Sequence, residues 1–172
     1  MGDFWVFGYG SLIWNPGFEH VERRRATLHG LHRSLCIYSW VHRGTKEHPG
    51  LVLGLDRGGS CLGMAMKVTA DKRDDVIAYL RAREQVTAVY LECWRNITLQ
   101  NGEVATALVY RADRESPQYA KGLSLNHQTD IVRHAVGGSG NNVDYVLSTV
   151  EAMRREGIRD RALEYIDNQL RV

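Results

Sequence analysis

The hydrophobic pattern changes character along the chain: short strand-like runs fill most of the first two-thirds, and helical periodicity fills the last third. Phe4 to Tyr9 is an aromatic and β-branched run stopped by Gly10, which predicts a buried first strand. Thr27 to Trp40 alternates imperfectly and predicts one or two strands. Leu51 to Leu55 and Leu62 to Val68 predict two more, with Asp56-Arg57-Gly58-Gly59-Ser60 as the turn between them. Ala88 to Leu99 and Val104 to Tyr110 flank Gln100-Asn101-Gly102-Glu103, a hairpin signal with Asn-Gly at the tip.

One helix interrupts the strands. Asp71 is placed to cap it, Asp74 lies in its first turn, and Val76, Ile77 and Leu80 share a face. Three further helices are predicted over Leu125 to Val136, Val143 to Glu156 and Asp160 to Leu170. The second carries Val143, Val146, Leu147, Val150 and Met153 as its stripe and Gly157 as its stop. Gly137-Gly138-Ser139-Gly140-Asn141-Asn142 is expected to be a loop, either an interhelical connection or a lid. Strands that do not alternate with helices exclude a doubly wound parallel sheet. The expected class is α+β: a small, mostly antiparallel β-barrel with flanking helices, formed by residues 1–172 as one domain.

Composition sharpens this only by exclusion. With 172 residues, 44% hydrophobic and 24% charged, the chain reads as globular rather than disordered. A net charge of +2 is too small to imply a nucleic-acid partner, and the run Arg23-Arg24-Arg25 reads as solvated surface. No apolar run has membrane-spanning length, and the first residues lack the basic and apolar regions of a signal peptide. Cys36, Cys61 and Cys93 are odd in number and widely spaced, which argues against a disulfide framework or zinc site and for a reducing cytoplasm. The oligomeric state is not readable.

Four places are candidates for chemistry. In Gly8-Tyr9-Gly10-Ser11-Leu12 a strand ends in glycines, which suits either a plain tight turn or a nest of N–H groups around an anion. Gly10 is expected there at positive φ. Glu84 falls four residues after Leu80 and seven after Ile77, in line with the apolar stripe. It is either a desolvated carboxylate serving as a base near neutral pH, or a surface residue paired with an arginine. The seven histidines form no metal-binding pattern, so no metal is expected. Tyr145, one residue off the Val143/Val146/Leu147 stripe, should have a partly buried ring and a hydroxyl in need of a partner.

Five stretches together resemble a known family in order along nearly the whole chain. They are Phe7-Gly8-Tyr9-Gly10-Ser11-Leu12-Ile13-Trp14-Asn15-Pro16-Gly17; His42-Arg43-Gly44-Thr45 with Pro49-Gly50; Gly54 to Cys61 with Gly63; Tyr79-Leu80-Arg81-Ala82-Arg83-Glu84 followed by Val89-Tyr90; and Gly138 to Asn142 with Asp144-Tyr145. The chain is similar in these to the ChaC-type γ-glutamylcyclotransferases. The resemblance implies that Tyr9, Gly10, Ser11 and Leu12 line a γ-glutamyl pocket, that Tyr145 completes its wall and that Glu84 is the general acid/base. It implies no cofactor, and glutathione as a small-molecule substrate cleaved to 5-oxoproline and cysteinylglycine. Another γ-glutamyl amine as substrate, or a non-catalytic binding domain on the same fold, remain alternatives. The sequence departs from the family pattern at Gln85 and Ala88, in place of Met and Gly, and at Leu35, in place of an aromatic residue.

Overall fold

The computed structural model describes residues 2–84 and 88–172. Five strands close into a barrel in the order β1-β3-β2-β4-β5, where β1 is Phe4–Gly8, β2 is Glu22–Ser39, β3 is Gly50–Val68, β4 is Tyr90–Leu99 and β5 is Val104–Ala112. β1 runs antiparallel to β3, from Phe4 opposite Val68 to Gly8 opposite Met64. It runs parallel to β5 through Trp5–Ala107 and Val6–Leu108. Strands on both sides of β1 leave no solvated edge, which is why its sequence is a nearly unbroken apolar run.

One strand expectation is corrected. The segment Asp56 to Ser60 is not a turn: β3 continues through it without a break. Gly58 and Gly59 do adopt positive φ, 100° and 65°, but inside the strand. A Cβ on Gly59 would meet the Cβ of His32 on β2 at 3.3 Å, and the His32 ring Nδ1 lies 3.0 Å from the Gly58 carbonyl. Glycines at positive φ are as much the mark of a locally distorted strand as of a reversal, and here the strand takes them. The basic run is solvent-facing as expected, with Arg23 exposed and Arg24 and Arg25 half-buried. It lies in β2, where Arg24 pairs with Glu22 at 2.7 Å and Arg23 donates to the Ile13 carbonyl.

The Asn-Gly hairpin forms as expected. Leu99 N–H donates to Glu103 O at 2.8 Å and Gly102 N–H to Leu99 O at 2.9 Å, fixing a register that runs from Thr98–Val104 to Tyr90–Ala112.

The chain divides into two compact units, one made of the chain up to His32 with Leu55–Asp113, the other of Arg33–Gly54 with Arg114–Val172. In the first, helix α1 (Arg73–Glu84) lays Val76 and Leu80 on a core of Phe4, Val6, Leu12, Met66, Val68, Leu108 and Tyr110. Leu80 is fully buried, and its truncation to Ala would cost about 2–5 kcal/mol. Asp71 does not cap α1: it sits in a 3-10 turn, Ala70–Lys72, ahead of the helix, and takes a hydrogen bond from Thr69.

The second unit holds α2 (Leu125–His134), α3 (Asn142–Arg155) and α4 (Arg161–Leu170). Each has a side-chain cap: Ser124 accepts from His127 N–H, Asn141 from Asp144 N–H and Asp160 from Leu163 N–H. The expected loop is partly ordered as a two-residue hairpin, β6 (Val136–Gly137) against β7 (Gly140–Asn141), and Asn142 already belongs to α3. Backbone bonds hold it, with Gly138 N–H on Val41 O at 2.7 Å and Ser139 N–H on His42 O at 2.9 Å. No helix among the described residues is long and apolar enough to cross a membrane.

Candidate active site

Beyond the end of β1 the chain turns sharply through a 3-10 turn, Ser11–Ile13. Ile13 N–H closes on Gly10 O at 2.9 Å and Asn15 N–H on Ser11 O at 2.7 Å. The N–H groups of Gly10, Ser11 and Leu12 precede these bonds, as the leading donors of any helical turn do, and none makes a backbone hydrogen bond among the described residues. Tyr9, Gly10 and Leu12 are buried and Ser11 is exposed.

The glycines share the work differently from expectation. Gly10 has φ −141° and ψ −125°, not a positive φ. The steric demand falls on Gly8, where a Cβ would lie 3.0 Å from Leu12 Cβ, 3.2 Å from Met66 Cε and 3.4 Å from Ile13 N. The turn folds back on the end of its own strand, and a side chain at position 8 would require its neighbours to give by a few tenths of an ångström.

Glu84 is the last residue of α1, and its side chain is 16% exposed. Burial pushes its carboxyl above the ordinary range, and the Arg83 guanidinium opposes that with Nε 3.8 Å from Glu84 Oε1. A carboxylate at a helix C-terminus also faces the negative end of the dipole, which acts in the same direction as burial. Both expected features are present, since the residue is desolvated and has an arginine beside it, but desolvation is the larger effect.

Four side chains escaped the sequence reading. Arg83 donates from Nη1 to Asn15 O (2.7 Å), Pro16 O (3.1 Å) and the Tyr79 hydroxyl (3.1 Å), and from Nη2 to Ser11 Oγ (2.9 Å). Tyr110, 2% exposed, donates its hydroxyl to Glu92 Oε2 at 2.8 Å, and Arg81 grips both Glu92 oxygens at 2.9 Å. Burial, the Glu92 bond and the charges of Glu92 and Glu84 raise the Tyr110 phenol far above its ordinary value, and Arg81 holds the Glu92 carboxyl below its own. Glu92 and Tyr110 are directly opposed across the hairpin, so counting back from the Asn101-Gly102 tip would have paired them.

In the second unit, the Tyr145 hydroxyl accepts from Leu53 N–H at 3.0 Å and the Arg43 guanidinium lies 5.6 Å from its ring centroid, which supplies the expected partner. Asn142, fully buried one turn earlier on α3, bonds both backbone groups of Leu51. Gln85 lies outside the described residues. Ala88, where the family pattern carries glycine, has φ 54°. Leu35 is buried, 1% exposed, in β2. Among the described residues no group of three or more His, Cys, Asp or Glu is arranged to hold a metal ion, and none of the three cysteines forms a disulfide.

A barrel whose first strand ends in a glycine turn, tied by an arginine to a helix that ends in a desolvated glutamate, defines a class of protein. The chain belongs to the ChaC-like protein family, whose model matches residues 4–172. It is 33% identical over 162 residues to the glutathione-specific γ-glutamylcyclotransferase of Escherichia coli, covering 94% of this chain and 70% of that protein. It is 34% identical over 176 residues to γ-glutamylcyclotransferase 2-3 of Arabidopsis thaliana, covering 97% and 88%. The crystal structure of a yeast γ-glutamyl cyclotransferase specific to glutathione superposes with a TM-score of 0.82 at 20% identity, covering 99% of this chain and 97% of that one. The fold is therefore the expected α+β barrel with flanking helices.

Proposed function

We propose that this protein is a γ-glutamylcyclotransferase that cleaves glutathione into 5-oxoproline and cysteinylglycine, with Glu84 as its general acid and base. The observation that carries the reading is the desolvated Glu84 carboxyl at the end of α1, raised towards neutral pH. Membership of the ChaC-like family and the names of the relatives supply the substrate class.

The chemistry suits a single titratable carboxylate. The α-amine nitrogen of the glutamyl group attacks its own γ-carbonyl carbon, the N–C bond closes a five-membered lactam, and the bond from that carbon to the cysteinyl nitrogen breaks. The attacking ammonium loses two protons over the reaction and the leaving nitrogen gains two. Glu84 carries them in turn and ends in its starting state. No enzyme nucleophile enters, and holding the glutamyl chain curled supplies proximity. The leading N–H groups of the Gly10–Leu12 turn are donors suited to the oxyanion or to the glutamyl carboxylate. A reducing, cytoplasmic setting belongs to the same proposal, because three cysteines outside any disulfide suit it.

Incubation with glutathione followed by mass spectrometry tests the reading. The wild type should release 5-oxoproline and cysteinylglycine together. Glu84→Gln should be slower by about two to four orders of magnitude, the usual loss for a general acid/base. Absence of 5-oxoproline from the wild type, or a Glu84→Gln variant that keeps more than about a tenth of the rate, well short of that range, would overturn it.

A further inference from the structure

We infer that Arg83 is a positioning residue: it locks the turn from Ser11 to Pro16 to the last helical turn of α1, so that the donors of the glycine turn and the carboxylate of Glu84 are held in one frame. The inference rests on the reading of Glu84 as the acid/base.

The bonds of Arg83 are unusual in what they connect. Its Nη1 reaches two successive main-chain carbonyls, Asn15 at 2.7 Å and Pro16 at 3.1 Å, and its Nη2 reaches Ser11 Oγ at 2.9 Å. A carbonyl turned towards a guanidinium is fixed in direction, so three points on a six-residue turn are fixed from one side chain. The fourth partner, the Tyr79 hydroxyl at 3.1 Å, comes from α1 one turn earlier and steadies the guanidinium itself. Gly17 makes room for that hydroxyl, since a Cβ there would overlap Tyr79 Oη and stand 2.8 Å from Tyr79 Cζ. The Asn15-Pro16-Gly17 stretch, which nothing in the proposed chemistry uses directly, is thereby accounted for: two carbonyls for the clamp and a gap for its brace.

The same arrangement leaves the charge of Arg83 unmatched by these partners, because all four are neutral. The nearest carboxylate oxygen, Glu84 Oε1, stands 3.8 Å from Nε, beyond a direct hydrogen bond but well within electrostatic reach. Arg83 thus lowers the Glu84 carboxyl without neutralising it as a close ion pair would. Among the described residues, the other ionisable group within electrostatic reach of Glu84 is Tyr110 on β5, whose hydroxyl is bound to Glu92 of β4 and, through it, to Arg81. A lysine at position 83 would keep the charge but lose the planar fork that serves Nη1 and Nη2 partners at once.

Arg83→Lys and Arg83→Met separate the two effects. Both should lose about 100-fold in kcat, the scale of an ångström's misplacement, with KM changed much less. In Arg83→Met alone, the Glu84 carboxyl, followed by NMR titration, should titrate at higher pH than in the wild type, and the acid limb of the rate profile should move up with it. Arg83→Lys should leave both near their wild-type positions. Wild-type kcat in Arg83→Lys would overturn the clamp, and a loss confined to KM would make Arg83 a substrate contact instead. An unmoved Glu84 titration in folded Arg83→Met would overturn the electrostatic half. NMR needs no turnover: a wild type silent towards glutathione would count against the proposed function, the Glu84 titration would still decide the electrostatic half, and amide shifts of Ser11 and Asn15 that stay at their wild-type positions in Arg83→Lys would overturn the clamp.

Discussion

The carboxamide of Asn142 answers both backbone groups of Leu51: Oδ1 accepts from the N–H at 2.7 Å and Nδ2 donates to the carbonyl at 2.9 Å. A side chain from the first turn of α3 thus does for β3 what a neighbouring strand would do, and the Tyr145 hydroxyl repeats the acceptor half of it at Leu53. Asn142 is fully buried, so water does not replace it.

Asn142→Ala should therefore leave a buried donor and acceptor unmatched, at about 1–3 kcal/mol for each group. Asn142→Asp should be destabilised at neutral pH as well, because its second oxygen would face the Leu51 carbonyl, and it should recover part of the loss in acid, where the protonated oxygen donates again. Thermal melts of the variants across pH check this. A wild-type melting temperature in Asn142→Ala would show that the pairing contributes nothing.

Glu84 should trade stability for function. Its carboxyl titrates above the ordinary carboxylate range in the folded protein. The sign follows: stability from this group is full below the ordinary value and is lost as the pH rises through the raised one, where a desolvated charge must be carried. Glu84→Gln should melt above the wild type at neutral pH, and the gap should close on acidification. A gap that is absent, or that widens in acid, would place the carboxylate in a solvated site.

Gly8→Ala is expected to harm the glycine turn more than Gly10→Ala. A methyl on Gly8 meets Leu12 Cβ at 3.0 Å, tighter than side chains normally pack, while Gly10 has no positive φ to lose. Gly8→Ala should lower both melting temperature and kcat, since relief requires the Ser11–Ile13 turn to move off the strand end. Melting temperature and kcat/KM measured on the same samples decide the ranking.

Ala88→Gly should stabilise the protein. Ala88 has φ 54°, a left-handed conformation that costs an alanine roughly 1–2 kcal/mol. Glycine relieves it but gives back part of the gain through a more flexible unfolded chain, so an increase of about 1 kcal/mol or less is expected. Equilibrium denaturation of the two proteins would show it, and a destabilised Ala88→Gly would contradict the strained conformation.

Much of the site was legible because it rests on short-range rules. Glu84 was found by counting four from Leu80, and the helix indeed runs to it with Leu80 in the core. The Asn101-Gly102 tip and the helix ahead of Gly157 were equally local. The errors share a cause: Gly58 and Gly59 were read as turn residues and do adopt positive φ, yet whether such a pair reverses a chain or distorts a strand depends on the strand beside it, here the one that carries His32. The Gly137 to Asn142 segment failed similarly, since its glycines disfavour regular structure alone but not when Val41 and His42 supply carbonyls.

The sequence by itself determined the class of fold, the helix that ends in Glu84, the glycine turn and the family, because periodicity, turn chemistry and ordered motifs are written in neighbouring residues. Tertiary structure alone decided which of those residues act on one another. Arg83 and Ser11 are 72 residues apart, Asn142 and Leu51 are 91 apart, and Glu92 and Tyr110 meet only through hairpin register. A hydrogen bond between distant residues leaves no periodic trace in the chain. Desolvation of Glu84 likewise belongs to the folded surroundings, since the same carboxylate exposed on the last turn of an isolated helix would titrate near its ordinary value.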